Sequence, residues 1–233
     1  IWGVVMKLGD ISVSYVEILR KAMLALGCNP QLILQQFGLN ETVLASPDAR
    51  ISIPRFMRLG FSSIQFSQRP WLGLEMGAQT HATNLGVAGL MALSSSDLKT
   101  ACKCICHYEL LSSYNARGQS AFYTADGFGV AQFYSISPYN SFNLFVVDSV
   151  LSSWYHLAKW LTGLDDCVEA VCFEFDEPDY RDMYDEYFAC EVRFSQPYNG
   201  VIIKPDALAK PSLYGCASTF ELLKRQADAD LEK

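Results

Sequence analysis

The feature that most restricts what this chain can fold into is a change of hydrophobic period near Gly118. Before it, apolar residues recur at helical intervals. Val16, Leu19, Met23 and Leu26 follow Val13, and Gly27 supplies the stop. Asn29-Pro30 opens a second short helix that Gly38 closes, and Asn40 is placed to cap a turn over residues 41–44. Phe56, Leu59 and Ile64 continue the pattern after Ser52 and Pro54, and Pro70 starts the segment 71–77. Ser94-Ser95-Ser96-Asp97 caps a helix whose expected core face is Leu98, Ala101, Cys102, Ile105, Tyr108 and Leu111.

After Gly118, residues 121–125 and 128–136 are rich in aromatic and β-branched side chains, and Asp126-Gly127 between them predicts a hairpin. Pro138 and Asn140 break the chain before a long helix over 142–161, with Leu144, Val147, Leu151, Trp154, Ala158 and Leu161 on its main apolar face. Further strands are expected at 168–175, 191–194 and 200–204, and the tail, 220–233, reads as a polar amphipathic helix suited to a linker or an interface. This order predicts an α+β fold: an N-terminal helical block followed by an antiparallel sheet packed with a long helix.

Composition narrows the function. Half of the residues are hydrophobic and 18% are charged, which favours a large ordered core. The abundant aromatic rings fill that core first and also suit pockets for apolar or planar ligands. The net charge is −7, and the longest basic cluster is Lys224-Arg225, so direct contact with nucleic acid is not expected. The longest apolar stretch, 142–151, is interrupted by Asp148 and is too short to cross a membrane. Residues 1–5 lack the basic start of an export signal, and Met6 is read as the natural start. Eight cysteines in such a chain read as reduced thiols of a cytoplasmic protein.

Candidate chemistry is sparse. Cys102, Cys104, Cys106 and His107 carry soft-metal donors, but helical spacing puts Cys102 and Cys106 on the core face and turns Cys104 away. Core filling is the favoured reading, and a metal- or haem-binding sensor is the alternative. His81, His107 and His156 sit in no catalytic or haem-attachment motif. The acidic run 176–186, interleaved with Tyr180 and Tyr184 and followed by Tyr187, reads as an exposed amphipathic loop or helix. Nucleophile-elbow, phosphate-loop and zinc-protease patterns are missing, so neither an enzyme nor a resident metal or cofactor is expected.

The long helix offers a better lead. Asp148, Ser152 and His156, four apart, form a polar stripe. Such a stripe most often faces water; if the helix lies across the sheet, it becomes a partly buried set of ligand-orienting groups. The expected pocket lies between the long helix and the sheet, with Tyr134, Phe145, Asp148, Ser152, Trp154 and His156, and with Phe173 on a facing strand. The rings would supply apolar contact, and Asp148 or His156 would orient a polar group.

Val171-Cys172-Phe173-Glu174-Phe175 is followed by Pro178, Tyr184, Phe188, Val192, Phe194, Asn199, Ile203, Leu208 and Pro211. Earlier come Arg50-Ile51-Ser52, then Trp71 to Gly77, then Leu85-Gly86-Val87-Ala88-Gly89-Leu90. In order and spacing this resembles the "arabinose-binding" N-terminal domain of AraC-family transcription regulators over residues 13–223. Ala189, Glu191 and Ser212 depart from the family pattern at a turn and a linker. The resemblance implies an effector-binding and dimerising domain over 13–215, with a helical block (13–117) and a sheet-plus-helix part (118–215). Residues 216–233 would be a linker helix toward a helix-turn-helix DNA-binding domain outside this chain. It also implies a small-molecule effector, which the aromatic content tilts toward apolar or amphipathic, and a homodimer that meets DNA only through that other domain.

Overall fold

The computed structural model describes residues 8–233, and the reading of Met6 as the start and of residues 1–5 lies outside them. The first strand, β1 (Gly9–Ser12), is followed by α1 (Ser14–Ala25), α2 (Gln31–Gln36), α3 (Glu41–Leu44), β2 (Arg50–Ser52), α4 (Ile53–Ser67) and α5 (Leu72–Ala78). A 3-10 turn at Ala82–Leu85 leads into α6 (Gly86–Ser94) and α7 (Leu98–His107); a second, Glu109–Leu111, precedes β3 (Ser113–Asn115). The local signals act as expected. The Asn40 side chain accepts from the Val43 N–H at 2.9 Å, and the Asp97 side chain accepts from the Thr100 N–H at 2.8 Å.

The helical block is not wholly helical. β2, β1 and β3 form a three-stranded antiparallel sheet in that order, with Ile11 opposite both Ile51 and Ser113. Its strands have three or four residues each and come from distant parts of the chain. No hairpin turn or alternating run marks them, because their pairing is entirely non-local.

The second half holds β4 (Ala121–Ala125), β5 (Phe128–Phe133), α8 (Leu144–Thr162), β6 (Val168–Cys172), α9 (Arg181–Tyr187), β7 (Glu191–Arg193), β8 (Asn199–Ile203), α10 (Pro205–Leu208) and α11 (Ala217–Leu231). The hairpin forms through Asp126 and Gly127, both at positive φ (51° and 86°), as a two-residue turn of this hand requires. The five strands order as β4-β5-β8-β6-β7. The sheet is antiparallel except at one edge, where β6 and β7 run parallel because α9 crosses between them.

Helix α8 is the spine. Val147, Leu151, Ala158 and Leu161 sit in the core that faces the five-stranded sheet. Phe145, at its start, belongs to a second core with Val16, Leu19, Met23, Phe56 and Leu59 of α1 and α4. Helix α5 reaches α8 at backbone range: a Cβ on Gly73 would lie 2.3 Å from the Phe145 carbonyl oxygen, and one on Gly77 would lie 2.2 Å from the Ser152 Cβ. Only glycine fits this crossing. No helix among the described residues is long and apolar enough to cross a membrane.

The tail helix α11 is docked, and this changes the account of α7. Ala88 and Met91 of α6, Cys104 of α7, Tyr108 and Ala227 form one buried cluster, and the Tyr108 hydroxyl donates to Asp228 at 2.6 Å. Cys104 is therefore buried under α11, contrary to the expectation that it points away. Helix α7 is covered on two sides, so spacing from a single apolar face misplaces it. Cys106 is buried as expected, and Cys102 is half-buried.

Candidate functional site

A cavity of about 80 Å³ lies where the two halves meet. Its walls are built upward from short-range choices. Strand β1 contributes Ile11; α1 contributes Tyr15 and Ile18; α4 contributes Phe56 and Met57. Helix α5 adds Met76, α6 adds Ala88, α7 adds Ile105 and the following 3-10 turn adds Glu109. Strand β5 adds Phe133, and α8 adds Val146, Ser149, Val150, Ser153 and Trp154. Trp154 and Phe133 meet edge to face, with ring centres 6.2 Å apart. A smaller void of about 20 Å³ lies between α7, α8 and the sheet, and Ile105 and Trp154 line both.

The lining is mainly apolar, and its one charged side chain among the described residues is Glu109. The Ser120 N–H and hydroxyl each donate to Glu109 at 2.6 Å. Burial nevertheless outweighs those bonds and holds the carboxyl above its ordinary range. Burial, with Glu109 close by, also pushes the Tyr15 phenol up.

Most of the expected site residues lie on other surfaces. Of the seven, Trp154 lines the cavity. Tyr134, just past the end of β5, lies over Gly118. Phe145 packs on Phe56, with ring centres 5.5 Å apart, and fills the space that Gly60 leaves. Phe173 is enclosed by Phe175, Tyr184, Phe188 and Phe194.

The polar stripe does not face water. Asp148 and Ser152 are fully buried. The Ser152 hydroxyl donates to the Leu74 carbonyl at 2.8 Å, and His156 Nδ1 lies 2.8 Å from the Ser152 carbonyl oxygen. Asp148 Oδ1 accepts from the Tyr184 hydroxyl at 2.7 Å, while Oδ2 has no partner among the described residues. Burial pushes the Asp148 carboxyl up to about 8, and pushes the His156 imidazole below its usual value. Helix α9 is amphipathic, as the acidic run suggested: Asp182, Asp185 and Glu186 are exposed and Tyr184 is buried in the core. The stripe turns toward α5 and α9, and the cavity opens on the neighbouring face of α8. Among the described residues, no group of three or more His, Cys, Asp and Glu side chains converges for a metal.

Glu109 is the residue that periodicity passed over. An acid placed four residues after Ile105, on the continuation of an apolar helix face, was the available signal.

A mainly apolar cavity between a helical unit and a sheet marks the class as a ligand-binding domain. The arabinose-binding domain of AraC transcription regulators (N-terminal) matches residues 27–212, and the chain belongs to that family. The ornithine utilization regulator of Pseudomonas aeruginosa is 23% identical to it over 222 residues, 94% of this chain and 64% of the relative. The crystal structure of the transcriptional regulator CdpR from Pseudomonas aeruginosa shares the fold, with a TM-score of 0.65 and 16% identity. That match covers 90% of this chain and 61% of CdpR. The chain therefore spans less than two thirds of the length of either relative. Both are regulators by description.

Proposed function

We propose that this chain senses a small apolar or amphipathic molecule in the cavity between its two halves. The bound state would pass through the tail helix to a helix-turn-helix DNA reader in the whole protein. One observation carries the reading: Ala88 lines the cavity and also packs in the cluster that holds α11 through Ala227. A ligand that displaces α6 therefore acts on the seat of the tail helix. Such coupling operates only through a difference in ligand affinity between two seatings of α11.

In this reading, residues 13–215 form the effector and dimerisation unit, residues 216–233 form the linker, and the protein works in the cytoplasm. A second copy is the proposed partner; exposed Trp160, Leu213 and Tyr214 supply a contiguous apolar surface for it, with the Trp160 and Tyr214 rings 4.7 Å apart. Sedimentation velocity tests this part: a monomer at all concentrations removes it. Ornithine, in the name of one relative, does not transfer, because its carboxylate would meet no Lys or Arg in the lining among the described residues.

The ligand reading is tested by a thermal-shift screen of small apolar and amphipathic compounds on the wild type and on Val150→Phe, which fills the cavity. Compounds that raise the Tm of the wild type and lose the effect in the variant support it. Equal shifts in both, or none in the wild type, refute it.

A further inference from the structure

Several polar groups around the cavity donate to the protein itself. The hydroxyls of Thr80, Ser149 and Ser153 donate to the carbonyls of Met76, Val146 and Val150 at 2.8, 2.9 and 2.7 Å. The Asn143 amide donates to the carbonyls of Ile136 and Pro138 at 2.8 and 2.9 Å. These donors are spent on the protein, and what the hydroxyls leave for a ligand is lone pairs. Glu109 adds a carboxylate whose oxygens, each holding one bond from Ser120, retain accepting capacity. The lining thus offers these acceptors, the hydroxyls of Tyr15, Ser113 and Ser135, and one negative charge, with no Lys or Arg among the described residues.

Building on the effector-site reading, we propose that the ligand is an amphipathic amine, with its ammonium group on Glu109 and its hydrocarbon part against Ile105, Val150, Trp154 and Phe133. The half-buried carboxylate has no Lys or Arg beside it in the lining among the described residues, and an ammonium supplies that positive charge. A carboxylate ligand of the same shape would bring a second negative charge and would meet no Lys or Arg in the lining among the described residues. A neutral alcohol would fill the apolar part and use one acceptor. The three chemistries are therefore ranked by the lining: amine above alcohol, alcohol above acid.

The experiment compares hexylamine, hexanol and hexanoate, titrated into the whole chain at pH 7.5 and followed by calorimetry and ligand-observed NMR, on the wild type and on Glu109→Gln. Hexylamine is expected to bind about tenfold or more tightly than hexanol, the margin of a charged hydrogen bond over a neutral one. Hexanoate is expected to bind more weakly than hexanol. Glu109→Gln should erase the amine preference and leave hexanol within about twofold of its wild-type affinity. The wild-type ranking stands as a test even where the variant folds poorly. Hexanoate binding as tightly as hexylamine, or an amine preference that survives Glu109→Gln, overturns the amine proposal. Hexanol binding without amine preference overturns it while the effector site stands, and failure of all three to bind overturns both.

Discussion

Replacing Asp148 with asparagine should remove a pH dependence of stability that the wild type carries. Asp148 is fully buried, its one hydrogen bond comes from Tyr184 at 2.7 Å, and burial pushes its carboxyl up to about 8. In the unfolded chain the same carboxyl titrates near 4. Between these values the folded protein holds a proton that the unfolded chain has released. Stability is therefore greatest below the unfolded value and is lost as pH rises toward the folded one. The slope is about −1.4 kcal/mol per pH unit, or about 3–4 kcal/mol between pH 5 and 8. Asparagine keeps an oxygen for the Tyr184 hydroxyl and does not titrate. Urea denaturation of wild type and Asp148→Asn across pH 5 to 8 measures the difference. The wild type should lose ground to the variant steadily as pH rises. Parallel curves would show that Asp148 stays ionised in the fold, and would refute the reasoning.

Three further outcomes follow from the packing. Gly77→Ala places a Cβ 2.2 Å from the Ser152 Cβ and 2.5 Å from the Ser153 backbone nitrogen, so calorimetry should show a loss of at least about 2 kcal/mol. An unchanged Tm would mean that α5 and α8 are not in backbone contact. Tyr184→Phe takes the sole hydrogen-bond donor from the buried Asp148 carboxyl among the described residues and should destabilise by about 1–3 kcal/mol at pH 5. Tyr108→Phe removes the hydroxyl that donates to Asp228 at 2.6 Å; amides of α11 should then exchange faster while those of α8 keep their protection.

Local signals gave up their elements readily. The Asn40 and Asp97 caps, the Asp126-Gly127 turn and the apolar face of α8 all act within a few residues of themselves. Strands β1, β2 and β3 were not legible, since each is short and its partners are remote. The parallel β6–β7 edge likewise depends on a crossover that no residue of either strand announces. The site was the least legible part. The stripe of Asp148, Ser152 and His156 is real, but α8 is covered on most sides, so a polar stripe there meets another helix instead of water or a ligand. The cavity is made by side chains from β1 to α8, and Trp154 is the point where the expected and observed surroundings coincide. Glu109 stood out only once its apolar neighbours were in place.

Filling the cavity is proposed to act on the tail helix through α6. Hydrogen exchange on the whole chain, with and without saturating hexanol, tests it most directly. Protection should change in residues 86–94 and 217–231 together, and Val150→Phe should abolish the response to hexanol. Ligand-dependent protection confined to the cavity walls, with α11 exchanging as before, would contradict the account.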